Sequence, residues 1–242
     1  MSTDIPKNIF LCHKSKNNIN FYIDKWAKLN PEYAIRFFDD EECAQFLLDE
    51  YGEIHHAVFN YIPDGPIKAD FWRVCILFKR GGFYSDIDNE PLVPIAEFLD
   101  RETDFLLCSS YWEKEDFLYN PNFLMAKKGN IVLKKCIDWY TDSFISHVTY
   151  DYWYWSIVRI MTIHLKLNEF DSKDGIYRSG QMKVQILSEI KGASHYDDHN
   201  LYKGARVFNN RYKNWDYKRH EFKPNKFLWP LKKIKREILR LI

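Results

Sequence analysis

Two aspartates separated by one residue, Asp86 and Asp88, follow a short apolar segment that begins at Phe83. The segment has the composition of a buried strand, so both carboxylates are expected at a strand's carboxyl end, where open α/β sheets bind ligands. A break after the strand would let both converge on one hard cation, Mn²⁺ or Mg²⁺, which prefers carboxylate, diphosphate and water oxygens. An isolated Asp-x-Asp triplet is more often a solvated turn, so its meaning depends on the residues around it.

A predicted helix precedes this strand, beginning at Ile67 and ending at the pair Gly81-Gly82, which lets the chain reverse. Asp70 and Arg73 lie three residues apart and therefore share one face of that helix. One interpretation is a surface ion pair. The other is that Asp70 accepts hydrogen bonds from a ribose or sugar hydroxyl, while the guanidinium fork of Arg73 holds a phosphate or sugar oxygen.

The elements that must position these residues alternate between short apolar strands and amphipathic helices. Strands are predicted over residues 7–13, 34–38, 83–87, 105–108, 123–126, 184–187 and 206–208, and helices over residues 19–29, 41–51, 67–80, 130–145 and 152–167. Such alternation indicates an α/β fold in which helices flank a mostly parallel central sheet. Since no repeat, low-complexity segment or linker divides the chain, residues 1–222 are expected to form one domain.

Composition excludes several other classes of protein. Aromatic residues make up 17% of the 242-residue chain, enough to fill a core and to exclude bulk disorder. The sequence has no apolar run of the roughly 18 residues that a membrane span needs and no recognisable signal peptide. Its five cysteines lack Cys-x-x-Cys spacing, which argues against a disulfide framework and a cysteine zinc site. The expected location is therefore cytoplasmic.

The central segment resembles the sugar-transferase family that contains a DXD motif. The matching residues are Asp70, Arg73, Leu77, Gly81, Gly82, Tyr84, Asp86 and Asp88, and the opening segment Ile5-Pro6-Lys7-Asn8-Ile9 is similar as well. This family includes yeast-type initiating mannosyltransferases, bacterial capsular polysaccharide and lipopolysaccharide transferases and, distantly, the large clostridial glucosylating toxins. The resemblance implies a nucleotide-diphospho-sugar transferase fold of the GT-A type, with a Rossmann-like sheet, and sugar transfer with retention of anomeric configuration.

The resemblance also implies roles for individual residues. Asp70 and Arg73 would contact the ribose and sugar of the donor, while Tyr84 belongs to the same donor site. Asp86 would contact the donor and the metal, and Asp88 would ligate the metal. Asp86, Asp88 and Arg73 are the predicted catalytic residues, with Mn²⁺ or Mg²⁺ as the cofactor.

Further candidates rest on weaker similarity. Asn122, like Asn120, lies where the family places an Asn near the donor sugar, although a simple turn at Pro121 is the other interpretation. His13 is a candidate nucleotide contact or else a half-buried residue at a strand end. Asn209 is a candidate metal ligand, since an amide carbonyl can bind a hard cation, or else part of a basic surface loop.

The leading hypothesis is a metal-dependent glycosyltransferase that takes a nucleotide-sugar donor, with UDP-hexose as the default. Its acceptor would be an oligosaccharide or lipid-linked glycan in the assembly of a surface polysaccharide. Tyr111, Trp112 and Tyr119 are candidates for aromatic walls of the acceptor site.

The alternatives are a catalytically silent domain that binds nucleotide sugars or glycans, and a glycoside hydrolase, for which no acid–base pair stands out. A zinc site at His195 and His199 is disfavoured because a loop is expected there.

The basic C-terminal segment, residues 223–242, is predicted to form an amphipathic helix. Residues 203–242 carry a formal charge of +10, which leaves −9 on the first 202 residues. Leu231, Ile234, Ile238 and Leu241 recur at helical spacing, with lysines and arginines between them. This pattern over residues 227–242 is typical of a helix lying on an anionic membrane surface. Packing of a terminal helix on the domain is the alternative, whereas nucleic acid is not an expected partner.

Overall fold

The computed structural model describes residues 5–17, 19–110, 118–167, 173–194 and 197–212. Several sequence-based predictions lie outside these residues: the acceptor walls at Tyr111 and Trp112, the candidate His195, and the amphipathic helix over residues 223–242. They stay predictions.

The described residues form ten strands and eight helices. In chain order, strands β1 to β10 span Asn8–Cys12, Ala34–Phe38, Gly82–Ser85, Glu90–Pro91, Phe105–Ser110, Leu118–Ala126, Gly175–Ser179, Met182–Ile190, His199–Tyr202 and Ala205–Asn209. Helices α1 to α8 span Asn20–Leu29, Asp40–Tyr51, Glu53–Tyr61, Gly65–Arg80, Ile95–Phe98, Ile131–Ile145, Tyr152–Trp155 and Ile157–His164. Within the described residues, no helix is both long enough and apolar enough to span a bilayer.

All the strands join one sheet in the order β2-β1-β3-β6-β5-β8-β9-β10-β4, with β7 paired to β8. The expected parallel pairing is found between β1 and each of β2 and β3, and between β5 and β8. The remaining pairings are antiparallel, so the sheet is mixed. Following the pairings across the sheet shows that six strands run in the same direction: β1, β2, β3, β5, β8 and β10. Their carboxyl ends therefore lie along one edge.

Helices cover both faces of this sheet, and two apolar cores result. Alternate residues of β1 point to opposite faces, and accordingly Phe10 belongs to one core while Ile9 and Leu11 belong to the other. The first core holds apolar residues of α4, α6 and α8, including Trp72. The second holds Trp26 of α1, which stacks on Phe123 of β6 with their ring centroids 5.7 Å apart. This α/β arrangement confirms the predicted fold class.

Helix α4 is the central element of the first core. The helix is buried on all sides between Ile67 and Leu77, apart from the half-buried Lys68 and Ala69. The predicted apolar stripe does pack in the core, but the opposite face, with Asp70 and Arg73, is buried as well. Because the cost of burying charges must be offset by partners, these two side chains require compensation inside the protein.

The chain turns from α4 into β3 through Gly81 and Gly82, with φ of +66° and +104°. A Cβ atom at Gly82 would lie 2.8 Å from the carbonyl oxygen of Asn8 and 3.1 Å from that of Pro6. The absence of a side chain at this position lets β3 approach β1 closely. The glycine pair thus fixes where β3, and therefore Asp86, lies.

The structure contains elements that were not predicted, namely α3, α5, β4, β7 and β9, and two predicted elements have different bounds. The helix expected over residues 152–167 is divided at Ser156, whose backbone is extended and whose Oγ accepts from the Val158 N–H (3.3 Å) to cap α8. Strand β6 begins at Leu118, five residues earlier than expected, and continues through Pro121. Proline is disfavoured within a sheet, which is why the early part of this strand was not predicted.

We expect Gly82→Ala to lower the free energy of unfolding by about 2 kcal/mol more than Gly180→Ala does. Both glycines have positive φ, but nothing lies within 4 Å of a Cβ at Gly180. The difference therefore reports the close approach of β3 to β1 together with the larger positive φ of Gly82. Urea unfolding of both variants measures it, and equal losses would show that the approach is not constrained.

Candidate active site

The chain turns sharply after β3, at the edge where the carboxyl ends of β1, β2, β3, β5, β8 and β10 lie. The Asp86 N–H donates to the carbonyl oxygen of Asn122 (2.7 Å), and Asn89 Nδ2 donates to the same carbonyl (2.8 Å). The Asn89 N–H in turn donates to the Asp86 carbonyl (3.2 Å). The expected break after the strand is present, and Asp86 and Asp88 both lie on it.

Arg73 connects α4 to this turn. Its Nη2 lies 3.3 Å from Asp70 Oδ1 and 3.2 Å from Asp86 Oδ1, and its Nη1 donates to the carbonyl oxygen of Pro121 (2.5 Å). The guanidinium also lies over the ring of Tyr84, 4.3 Å from its centroid. Tyr84 Oη donates to Asp86 Oδ1 (2.8 Å). Arg73 is therefore held from several sides and in turn holds Asp86.

Asp70 is buried, and both of its oxygens have partners within the protein. Oδ1 pairs with Arg73, while Oδ2 accepts from the Ile157 N–H (3.2 Å) and from Ser156 Oγ (3.3 Å). Asp70 thus joins α4 to the N-terminus of α8, where negative charge is favourable. Burial raises the pKa of Asp70 to about 6, although the positive charge of Arg73 opposes that shift. Its predicted contact with a donor ribose stays a prediction.

Asp88 has weaker contacts to positive charge than Asp70 and Asp86 have. Its Oδ2 lies 3.6 Å from Arg211 Nε, longer than a hydrogen bond, and 23% of its side chain is exposed. Burial and the nearby charge of Asp86 raise the pKa of Asp88 to about 7, against the opposing effect of Arg211. Both carboxylates are partly accessible, since Asp86 is itself 32% exposed.

A divalent cation fits this pair. Among the residues that the structure describes, no group of three or more His, Cys, Asp or Glu side chains is arranged to hold a metal. Mg²⁺ sites in phosphate-processing enzymes commonly use one or two carboxylates and complete their shell with substrate phosphates and water. Asp86 and Asp88 supply that number of ligands and an excess of negative charge.

The other predicted site residues lie around this centre. Tyr84 is buried and orients Asp86, and the Asn122 carbonyl fixes the turn. His13 follows β1 at the same edge; burial lowers its pKa, and its Nδ1 lies 3.2 Å from the Ser15 carbonyl oxygen. Asn209 Nδ2 donates to Glu90 Oε2 (2.8 Å) on the neighbouring strand β4. Direct roles of His13 and Asn209 toward a nucleotide or a metal stay predictions.

Two residues at this edge were not predicted from the sequence. Arg211 follows β10 and faces Asp88, and Glu189 lies at the carboxyl end of β8. Each lies far along the chain from Asp86. Arg211 belongs to the segment around Asn209, but no role was predicted for it, and Glu189 belongs to no recognisable motif. The only sequence signal for Glu189 is an acidic residue that closes an apolar strand.

Comparison with known proteins supports the predicted resemblance. Residues 16–105 match the family described as a glycosyltransferase sugar-binding region containing a DXD motif. The initiation-specific alpha-1,6-mannosyltransferase of Schizosaccharomyces pombe is 31% identical over 105 residues, covering 41% of this chain and 26% of that protein. The Candida albicans protein of the same name is 35% identical over 82 residues, covering 33% of this chain and 21% of its own length. The match thus spans about a quarter or less of these relatives.

The fold comparison agrees with the sequence comparison. The structure named PaToxG glycosyltransferase superposes with a TM-score of 0.53 at 18% identity, covering 67% of this chain and 69% of the other. At this level of identity the likeness concerns the fold. The predicted glycosyltransferase fold and the resemblance to DXD sugar transferases are therefore confirmed, and this chain is a relative of glycosyltransferases.

We expect Arg73→Met to lower the free energy of unfolding by about 3–5 kcal/mol at pH 8, because it leaves buried carboxylates unpaired. The pKa of Asp70 is already raised to about 6, and removal of Arg73 raises it further. At pH 5 the variant's Asp70 binds a proton, so the loss is smaller there than at pH 8.

Urea unfolding at both pH values measures this difference. Lys134→Met is the matched control, because it removes a positive charge from the exposed Lys134–Asp138 pair and should cost only about 0.5 kcal/mol. A loss from Arg73→Met that is the same at both pH values would contradict the assigned role of Arg73.

Proposed function

We propose that this chain is a glycosyltransferase that moves a hexosyl group from a nucleotide-diphosphate sugar to a glycan acceptor with retention of configuration. The observation that carries the proposal is the carboxylate pair Asp86 and Asp88, with Asp86 fixed by the buried Arg73. The pair lies at the sheet edge, within the segment that matches the DXD sugar-binding region. Ligands of α/β sheets bind at such edges.

The chemistry follows from the charges in this cluster. Asp86 and Asp88 would hold Mn²⁺ or Mg²⁺, which when bound neutralises the charge that develops on the departing nucleoside diphosphate. Arg73 keeps Asp86 in place, so little reorganisation is needed when the donor binds. Arg211, next to Asp88, is placed to pair with a phosphate oxygen through its guanidinium group.

For the donor we propose UDP-hexose, and GDP-mannose as the second candidate. The second rests on the two yeast relatives, which are named alpha-1,6-mannosyltransferases. For the acceptor we propose an oligosaccharide or lipid-linked glycan of a surface polysaccharide such as capsule or lipopolysaccharide, built on the cytoplasmic side of a membrane. Support for this acceptor comes from the sequence resemblance to bacterial polysaccharide transferases.

Turnover of a donor panel tests the proposed activity. The full chain is incubated with UDP-glucose, UDP-galactose, UDP-N-acetylglucosamine or GDP-mannose, each with and without Mn²⁺, and release of UDP or GDP is measured. We expect one donor to be turned over in the presence of the metal. Asp88→Asn should reduce that rate about 100-fold or more, because it removes one charge from the cation site.

Asp49→Asn is the matched control, since Asp49 lies on α2 and contacts Gln45 (2.7 Å) instead of the site. Its rate should equal that of the unaltered chain. Tight binding of a nucleotide sugar without any turnover would favour a silent binding domain instead. Undiminished turnover by Asp88→Asn would contradict the metal role of Asp88.

We also propose that residues 227–242 hold the enzyme on anionic membranes. Each Lys or Arg near such a surface contributes about 1 kcal/mol of binding free energy. The full chain should therefore sediment with phosphatidylglycerol-containing liposomes but not with phosphatidylcholine alone. Replacing Lys232, Lys233, Lys235 and Arg236 by Gln should abolish sedimentation. Equal sedimentation of this variant and the unaltered chain would contradict membrane binding by the segment.

A further inference from the structure

Glu189 is a buried carboxylate that the proposed chemistry does not use. Only 7% of the residue is exposed, and it lies next to the last residue of β8. Its Oε2 accepts from Ser110 Oγ (2.8 Å), and its Oε1 accepts from Asn120 Nδ2 (3.1 Å) and from Asn210 Nδ2 (2.7 Å). Side chains from β5, β6 and the segment after β10 thus converge on one carboxylate.

This carboxylate belongs to the same edge as the Asp86 turn. Strand β8 is parallel to β5, and both run in the direction of β3. A short chain of hydrogen bonds connects the two sites. Asn120, which donates to Glu189, also accepts from the Asn122 N–H at its Oδ1 (3.0 Å), and the Asn122 carbonyl accepts from the Asp86 N–H (2.7 Å). Only Asn120 and Asn122 separate Glu189 from Asp86.

Glu189 and its three partners suit a ligand whose uncharged groups donate hydrogen bonds. An ionised carboxylate offers about four acceptor positions, and the three donors described here occupy three of them. All three donors are uncharged. Nearby, the Oδ1 atom of Asn122 is buried and has no hydrogen-bond partner among the described residues, although buried acceptors are normally paired.

The cluster therefore presents unused acceptors and a negative charge. A phosphate group would be repelled by Glu189. A sugar ring instead carries several neutral hydroxyl groups, each of which can donate one hydrogen bond.

We propose that Glu189, oriented by Ser110, Asn120 and Asn210, binds a hydroxyl group of a sugar ring and thereby selects which sugar the enzyme accepts. This inference rests on the proposed function, since it names a second recognition point within the same site. The sugar is either the hexosyl group of the donor or the terminal ring of the acceptor, and both offer the same hydroxyl chemistry.

Two variants separate sugar binding from a purely structural role. Glu189→Gln removes the charge but can keep all three hydrogen bonds, because its Oε1 accepts from Asn120 and Asn210 while its Nε2 donates to Ser110 Oγ. Glu189→Leu removes the hydrogen-bonding group itself and leaves Ser110, Asn120 and Asn210 without this partner. Glu102→Gln is the matched control, an isosteric change of a carboxylate that is 72% exposed and pairs with Lys183.

The measurements are the affinities for UDP-glucose and UDP, or for GDP-mannose and GDP if that donor is turned over, together with the KM of the acceptor. If Glu189 binds the sugar of the donor, both Glu189 variants lose about tenfold or more in affinity for the nucleotide sugar and keep their affinity for the bare nucleotide. If Glu189 instead binds the terminal ring of the acceptor, only the KM of the acceptor rises, by a similar factor. Either result supports the proposal.

Two results would overturn it: unchanged affinities and KM in Glu189→Gln, or an equal loss for the nucleotide and the nucleotide sugar in either variant. Both would assign Glu189 a structural role. Turnover by the unaltered chain and by Glu102→Gln tests the proposed function separately. If neither turns over a donor, the proposed function fails; if both do, the results at Glu189 decide the further inference alone.

Discussion

The guanidinium group of Arg73 lies inside the protein between two carboxylates, and the geometry of the site depends on that arrangement. A buried charge is tolerated only when its partners are close and well placed. Here the partners come from three parts of the chain: Asp70 from the same helix, Asp86 from the turn after β3, and the Pro121 carbonyl from β6. The need to neutralise one cation thus aligns a helix, a turn and a strand.

The position of Arg73 also divides the site into two regions that differ in charge and in the groups they offer to a ligand. Arg73 pairs with one oxygen of Asp70 and one oxygen of Asp86, so the negative charge of Asp88 is not neutralised by Arg73. The Asp88 side suits a cation and the diphosphate it accompanies. On the other side of Asn120 and Asn122, Glu189 is surrounded by amide and hydroxyl groups, an environment suited to sugar hydroxyls. The mixed sheet makes this possible because it brings the carboxyl ends of β3, β5 and β8 to one edge.

Sequence alone predicted the parts of the site that are close together in the chain. The spacing from Asp70 to Asp88 specified a helix, a glycine turn and a strand, and all three are present because each is encoded locally. The environment of Asp70 was less predictable. Its spacing from Arg73 indicated a shared helical face, but the pattern did not show that this face is buried under α8. Its oxygens are therefore engaged inside the protein.

Other features depend on contacts that no local pattern encodes. Glu189 meets Ser110 and Asn120 across 79 and 69 residues of sequence, so a strand-end glutamate carried no signal of its partners. Arg211 reaches Asp88 only because β10 is placed beside β4. The division between α7 and α8 at Ser156 was also missed. The apolar spacing continues through this point, whereas the break depends on Asp70 accepting from Ser156 and Ile157.

In the proposed function, the Asp86–Asp88 edge binds a nucleoside diphosphate together with a divalent cation. Isothermal titration calorimetry of UDP and of GDP into the full chain, each with and without Mn²⁺, measures this directly. We expect Mn²⁺ to strengthen the binding of one of these nucleotides at least about tenfold, and this nucleotide to strengthen Mn²⁺ binding by the same factor. Equal nucleotide affinity with and without the metal would show that the two do not bind together at this edge.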